Sequence, residues 1–173
     1  VSGKWLTHGW AGGGARGDGD GGEAARLYGR YVDAPASPLF PFGYGLSYRR
    51  CVLARLAVHA DGVGASPPAH LTLEMRPVTG GQGHSGGCSE VVQCYVHDPP
   101  SRHPRRWRRL VAFRRVELAA EERTRQLTVE LTSAALARLD DDGRAWRVAS
   151  GAYRVVCGRS SEDRDALEAE LRL

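Results

Sequence analysis

An all-β sandwich, two antiparallel sheets packed face to face, is the fold this sequence predicts, and two observations carry the expectation. Short runs of alternating apolar and polar residues recur from Leu53 onward, at intervals of roughly ten residues and separated by Gly, Pro and Asp clusters. No stretch sustains the longer 3.6-residue apolar period of a packed helix. At 173 residues the chain has room for one such domain plus an extension, with a core large enough to fold.

The elements follow in order. Leu53 to Ala60 is the first candidate strand. Leu71, Leu73 and Met75 alternate with Thr72, Glu74 and Arg76, which gives a second strand with one buried and one wet face. A Gly-rich turn over Gly80 to Gly87 precedes Val91 to Val96, whose closely spaced apolar residues suit the middle of a sheet. Arg109 to Leu118 is the fourth strand, with Phe113 and Val116 read as core anchors, and Leu127, Val129 and Leu131 mark the fifth. Ser133 to Leu139 predicts a single helical turn. Asp140-Asp141-Asp142-Gly143 then makes a turn ahead of Trp146 and Val148. After Gly151, Tyr153, Val155 and Cys157 alternate in the next strand, and Leu167, Ala169, Leu171 and Leu173 in the last. Glu168 and Glu170 favour a helix there, but the strict period of two decides for strand. Seven or eight short strands without an antibody-type Cys-Trp-Cys constellation favour the fibronectin type III-like form of the immunoglobulin-like sandwich.

Ahead of the strands the chain is irregular. Gly9 to Gly22 is Gly-rich and has almost nothing to bury, so it reads as a flexible linker. It is no phosphate loop, because the Lys and Ser/Thr that should follow are missing and no apolar strand precedes it. Residues Leu39 to Tyr48 mix aromatic anchors with turn residues and predict an ordered connection that packs against its neighbours. Three parts result: residues 1–37 as tail and linker, 38–48 as an aromatic junction, and 49–173 as the sandwich.

Composition narrows the function classes. Hydrophobic residues at 42% and charged residues at 25% argue against wholesale disorder. The net charge of +4 is too small to imply a nucleic-acid or anionic-membrane partner, and the apolar runs are far shorter than the ~20 residues of a membrane span. Val1 to Trp10 has neither the basic start nor the apolar core of a signal peptide, and the opening at Val1 reads as a truncated front. Cys51, Cys88, Cys94 and Cys157 form no CxxC pair, which argues against structural zinc. Three of them sit in apolar runs and read as buried small hydrophobes, with one cross-strand disulfide as the alternative.

Several words, in order, carry a family resemblance. Pro38-Leu39-Phe40-Pro41-Phe42-Gly43-Tyr44-Gly45-Leu46-Ser47-Tyr48 resembles the junction that leads, in family 3 glycoside hydrolases, from the α/β-sandwich domain into a C-terminal fibronectin type III-like domain. Tyr31-Val32-Asp33 and Val1-Ser2-Gly3-Lys4 resemble segments upstream of it. Gly87-Cys88-Ser89-Glu90-Val91-Val92-Gln93-Cys94-Tyr95-Val96 is similar to the family's Gly-Ser-Glu-Val-Val-Gln-Leu-Tyr-Val strand, with Cys88 inserted and Cys94 in place of Leu. Leu110 to Leu118 resembles its Leu-Lys-Gly-Phe-Lys-Arg-Val strand, with Val111-Ala112 for Lys-Gly. Asp141-Asp142-Gly143 through Tyr153 resembles the penultimate hairpin, and Gly158-Arg159-Ser160-Ser161 the closing turn.

The resemblance implies a parent β-glucosidase or β-xylosidase whose retaining chemistry needs two carboxyl groups about 5 Å apart. In that family the nucleophilic Asp comes from a barrel and the acid/base residue usually from the α/β domain. This chain is therefore expected to hold no catalytic residue, no metal and no cofactor. Its expected partners are the α/β and barrel domains of the parent, with carbohydrate reached only through the parent, and neither nucleic acid nor membrane. Phe40, Phe42, Tyr44 and Tyr48 are the candidate docking residues. The compartment stays open, extracellular or periplasmic being compatible with such a parent.

The residues offer few substitutes. Asp140 to Asp142 is the one dense carboxylate cluster, and it sits in a turn without a neighbouring His, Ser or Cys, so a hydrated turn is expected there. The six histidines show no ligand spacing, and Ser47 lacks the Gly-x-Ser-x-Gly elbow. Arg105 and Arg106 beside Trp107 could track a polyanion or glycan, the alternative function of a free-standing binding module. As a solvated loop they would instead blunt a sheet edge.

Overall fold

A computed structural model describes residues 38–62, 64–78, 86–100, 108–140 and 142–173. The predicted Gly-rich linker and the words at Val1 and Tyr31 lie outside these residues, as do Arg105, Arg106 and Trp107.

Among the described residues the strands run β1 (Cys51–Ala60), β2 (Ala69–Pro77), β3 (Cys88–His97), β4 (Arg108–Leu118), β5 (Arg125–Leu131), β6 (Arg138–Leu139), β7 (Trp146–Arg147), β8 (Ala152–Gly158) and β9 (Leu167–Arg172), with the helical turn α1 (Ser133–Leu136) before β6. One sheet has the order β1-β2-β5 and the other β4-β3-β8-β9, while β6 and β7 pair separately. All strand pairs are antiparallel. The chain changes sheet after β2, after β4 and again before β8, a Greek-key path that brings the inner faces of both sheets together. The predicted sandwich is the observed one.

The core follows from the alternation. Leu71, Leu73 and Met75 of β2 face Val92, Val96 and Val155 of the opposite sheet, all essentially inaccessible to solvent. Complete burial of one such side chain contributes about 1.5–3 kcal/mol before ordering costs. Tyr153 joins the same core, and its hydroxyl donates to the Ala149 carbonyl at 2.7 Å, which removes the cost of an unpaired phenol.

Two bulges shift the phase of the alternation. In β1 the register slips between Leu53 and Arg55, so the core-facing set passes from Cys51 and Leu53 to Leu56 and Val58. In β4 the slip falls opposite Cys94 and Tyr95, and both Val111 and Ala112 reach the core. The same strand corrects one expectation. Phe113 is not a core anchor: it is 70% exposed, whereas Val116 is buried. Three residues apart on a strand with no bulge between them, the two must point to opposite faces.

At the far end, Thr132 caps α1 by accepting from the Ala135 N–H at 3.2 Å. Arg109 grips the nearly buried Asp98 through two hydrogen bonds, at 3.0 and 2.7 Å, and also donates to the carbonyls of Ala135 and Leu136. One side chain thus ties the end of β3 and the start of β4 to the helical turn. The last stretch is strand, as its period demanded, and the helical turn ends at Leu136 because Arg138 and Leu139 pair with β7.

The cysteines divide into two pairs. Cys51 and Cys88 form a disulfide with Cα atoms 6.4 Å apart, within the ordinary range. It joins the first residues of β1 and β3, which belong to different sheets, so it staples the layers rather than neighbouring strands. Cys94 and Cys157 are buried thiols, as the small-hydrophobe reading expects.

Candidate docking face

The outer face of the four-stranded sheet is where the aromatic junction meets the sandwich. Pro41 to Tyr44 forms a turn closed by the Tyr44 N–H donating to the Pro41 carbonyl at 2.9 Å. Its third residue, Gly43, has φ +76°, the left-handed value that a type II turn requires at that place. The turn is pinned from below at two points. The Ser161 N–H donates to the Phe42 carbonyl at 2.8 Å, and Gln93 Nε2 donates to the Gly43 carbonyl at 3.0 Å.

Gln93 is itself fixed. Its Nε2 also donates to the Arg159 carbonyl at 2.7 Å, and its Oε1 accepts from the Tyr95 hydroxyl at 2.6 Å. Tyr95 is fully buried between strand and loop, and burial pushes its phenol up to about 12, opposed by the Arg108 guanidinium that lies 5.5 Å from the ring centre. The loop after β8 is braced in turn by Asp163, which accepts from the Arg159 backbone N–H at 2.8 Å and from its guanidinium at 2.9 Å. Burial alone would raise the Asp163 carboxyl, but these hydrogen bonds from Arg159 outweigh it and hold the group below its usual range. Arg50 reaches Asp165 at 2.5 Å, and Ser47 Oγ donates to the Ser89 carbonyl at 3.1 Å, so the exit of the junction is tied down as well.

With the backbone held in this way, the junction's side chains point outward. Phe40 is 66% exposed, Phe42 54%, Tyr44 47% and Tyr48 97%, and Leu39 and Leu46 are more exposed than either phenylalanine. The Phe40 and Tyr44 rings pack on each other at 5.3 Å. Gln93 pairs with Phe113 across β3 and β4, and Val91 precedes it by two on the same face, so exposed Phe113 and Val91 continue this surface on the sheet. An ordered backbone here presents a row of large apolar groups to solvent, which makes this face the candidate for contact.

Gln93 is the residue that sequence reasoning passed over. Its signal was a polar side chain within an otherwise apolar run from Val91 to Val96.

Elsewhere the sites considered from sequence resolve simply. Asp140 caps its own turn, its carboxylate accepting from the Arg144 N–H at 2.8 Å, and that bond leads the effects holding it below the usual carboxylate range. No group of His, Cys, Asp and Glu suited to a metal ion occurs among the described residues. His59 and His70 stack at 4.6 Å as register partners on β1 and β2, with His70 Nδ1 3.0 Å from Asp61. No described helix is long and apolar enough to cross a membrane.

His97, at the end of β3, supplies a pH dependence. Burial, then the neighbouring Arg154 and Arg108 charges, push its pKa below the ordinary value, against a smaller pull from Glu168 and Asp98. Below about pH 6.5 the unfolded chain takes up a proton that the folded chain refuses, so stability is full above that pH and declines as pH falls through it. Urea unfolding of the wild type and His97→Asn between pH 5 and 8 tests this. The wild type should lose more stability on acidification, and equal slopes would contradict the assignment.

The comparisons with known proteins agree with this architecture. Residues 90–161 match the fibronectin type III-like domain family. Thermostable β-glucosidase B of Acetivibrio thermocellus is 34% identical over 78% of this chain and 17% of its own length, and a probable β-glucosidase H of Emericella nidulans is 33% identical over 72% and 14%. Among solved structures, the GH3 β-glucosidase of Bifidobacterium adolescentis superposes with a TM-score of 0.64 at 29% identity, over 86% of this chain and 20% of that one. The chain spans a fifth or less of the length of each. It belongs to the fibronectin type III-like domains that form the C-terminal region of glycoside hydrolase family 3 β-glucosidases.

Proposed function

We propose that this chain is the accessory domain of a β-glucosidase-like enzyme that hydrolyses O-glycosyl bonds, and that it stabilises the catalytic domains by docking on them through residues 38–48. The catalytic carboxylate pair then lies in the parent's other domains, and carbohydrate is met only through them. The observation that carries the reading is the junction itself: its carbonyls are hydrogen bonded to the sandwich at Phe42 and Gly43 while Phe40, Phe42 and Tyr44 stay open to solvent. A turn held on one side and apolar on the other suits a wedge between two domains, and the area it would bury needs no new polar partner.

The test is the double variant Phe42→Ala, Tyr44→Ala in the full-length parent. Each large aromatic withdrawn from a packed contact costs on the order of 2 kcal/mol. The parent should melt at lower temperature and lose kcat/KM, while the 173-residue chain carrying the same changes keeps its own melting point, because both side chains are exposed in it. Unchanged stability and activity in the parent would remove the docking role.

A further inference from the structure

We propose that Cys94 and Cys157 are the site of a second disulfide, formed within the four-stranded sheet between β3 and β8. The pairing is set by register: Cys94 lies directly opposite Cys157 in the antiparallel ladder, and both side chains point into the core. Their sulfurs are 3.1 Å apart, closer than the ~3.5–4.0 Å at which even two non-bonded carbons attract best. Directly opposed residues of an antiparallel pair have Cα atoms about 4.5–5.5 Å apart, inside the range that disulfides span. At that Cα spacing the two sulfurs are within reach of a bond across the ladder.

A second observation bears on whether an oxidant is at hand. Cys51 and Cys88 are already joined, and such bonds persist where the surroundings oxidise thiols. All four sulfurs belong to one core cluster, so one folding event brings both pairs together. The reaction is thiol–disulfide exchange with a small disulfide such as oxidised glutathione. One cysteine, as thiolate, attacks the small disulfide to form a mixed disulfide and expels one thiolate. The other cysteine then attacks the mixed disulfide and expels the second. Two protein thiols are oxidised, one external disulfide is reduced to two thiols, and the two protons that leave the cysteines end on the two expelled thiolates, with no net proton release.

The order of events follows from burial. Both sulfurs are shut from solvent in the folded chain, and hydrogen bonding to Cys94, with burial second, pushes the Cys157 thiol far above its usual range, so it does not supply a thiolate once folded. The bond therefore forms while β3 and β8 are still closing, and the finished core then shields it. Across a ladder the Cβ atoms sit about 4.5–5.5 Å apart, somewhat wider than disulfides prefer, so this bond is expected to open at lower thiol concentration than the bond between the sheets.

The experiment refolds the full 173-residue chain from reduced, denatured protein in glutathione buffers of graded oxidised-to-reduced ratio. Acid quenching, alkylation in denaturant and peptide mapping by mass follow. The expected result at oxidising ratios is no alkylated cysteine and a peptide pair linked through residues 94 and 157. That link should disappear at a less reducing ratio than the link between residues 51 and 88. In Cys94→Ala, Cys157 should take one alkyl group while the other link remains. A map lacking the 94–157 link at the most oxidising ratio, whatever the other two cysteines do, overturns the proposal. Exchange of partners, with Cys94 or Cys157 linked to Cys51 or Cys88, overturns it too.

Discussion

The double variant Cys51→Ala, Cys88→Ala is expected to unfold with a midpoint roughly 10 °C lower than the oxidised wild type, from a loss of about 4 kcal/mol. The size follows from the separation of 37 residues between the two cysteines, since cross-linking so long a loop removes a large share of the unfolded chain's freedom. The location adds to the effect. The bond fixes the first residue of β1 to the first residue of β3, one in each sheet, beside the point where the junction enters. Among the described residues β1 and β3 belong to separate sheets and share no ladder. Alanine is the chosen replacement because Cys51 is fully buried, and a serine hydroxyl would add its own desolvation cost. Differential scanning calorimetry of wild type and variant, each with and without reductant, checks the prediction. Reductant should bring the wild type toward the variant, and equal midpoints throughout would show that the sheets need no staple.

The second large effect is expected at Gly43. A Cβ built there would stand 2.1 Å from Gln93 Oε1, and the residue already has φ +76°. A flexible glutamine could ordinarily swing away, but this one is nearly buried and makes three hydrogen bonds. Moving it leaves the Tyr95 hydroxyl without its acceptor. Left-handed strain and an unsatisfied buried phenol together cost about 3 kcal/mol. Because the junction sits on the outer face of the sheet, Gly43→Ala should release the turn without dissolving the core. Hydrogen exchange at the Ser161 N–H, which donates to the Phe42 carbonyl, reports that release. Faster exchange there with unchanged protection of Val96 and Val155 is expected, and unaltered exchange at Ser161 would contradict it.

The strands that were legible in the sequence are those whose two faces meet different solvents. In β2, Leu71, Leu73 and Met75 are buried while their neighbours are wetter, and the period of two is plain. In β1 and β4 a bulge changes the phase in mid-strand, so no single alternation describes them. Phe113 shows a different failure: its spacing of three from Val116 places it on the other face, and its hydrophobicity masks that phase.

The candidate docking face was legible only in part. The run from Leu39 to Tyr48 announced itself by composition, and the structure places its aromatic side chains at the surface. Composition could not tell which of its groups are held inward. The structure answers that the carbonyls of Phe42 and Gly43 are, through Ser161 and Gln93 from distant strands and loops. The disulfide was hidden for a similar reason. Cys51 and Cys88 become neighbours only when one sheet is laid on the other, a relation that no local pattern encodes.

The central claim is that this sandwich works as part of a much longer glycosidase. An antibody raised against residues 49–173, used to probe an extract of the source cells on a denaturing gel, tests it most directly. The account predicts a band several times heavier than the 18.8 kDa of this chain, carrying β-glucosidase activity when captured under native conditions. A band at 18.8 kDa alone would contradict it and make the exposed junction a surface for some separate partner.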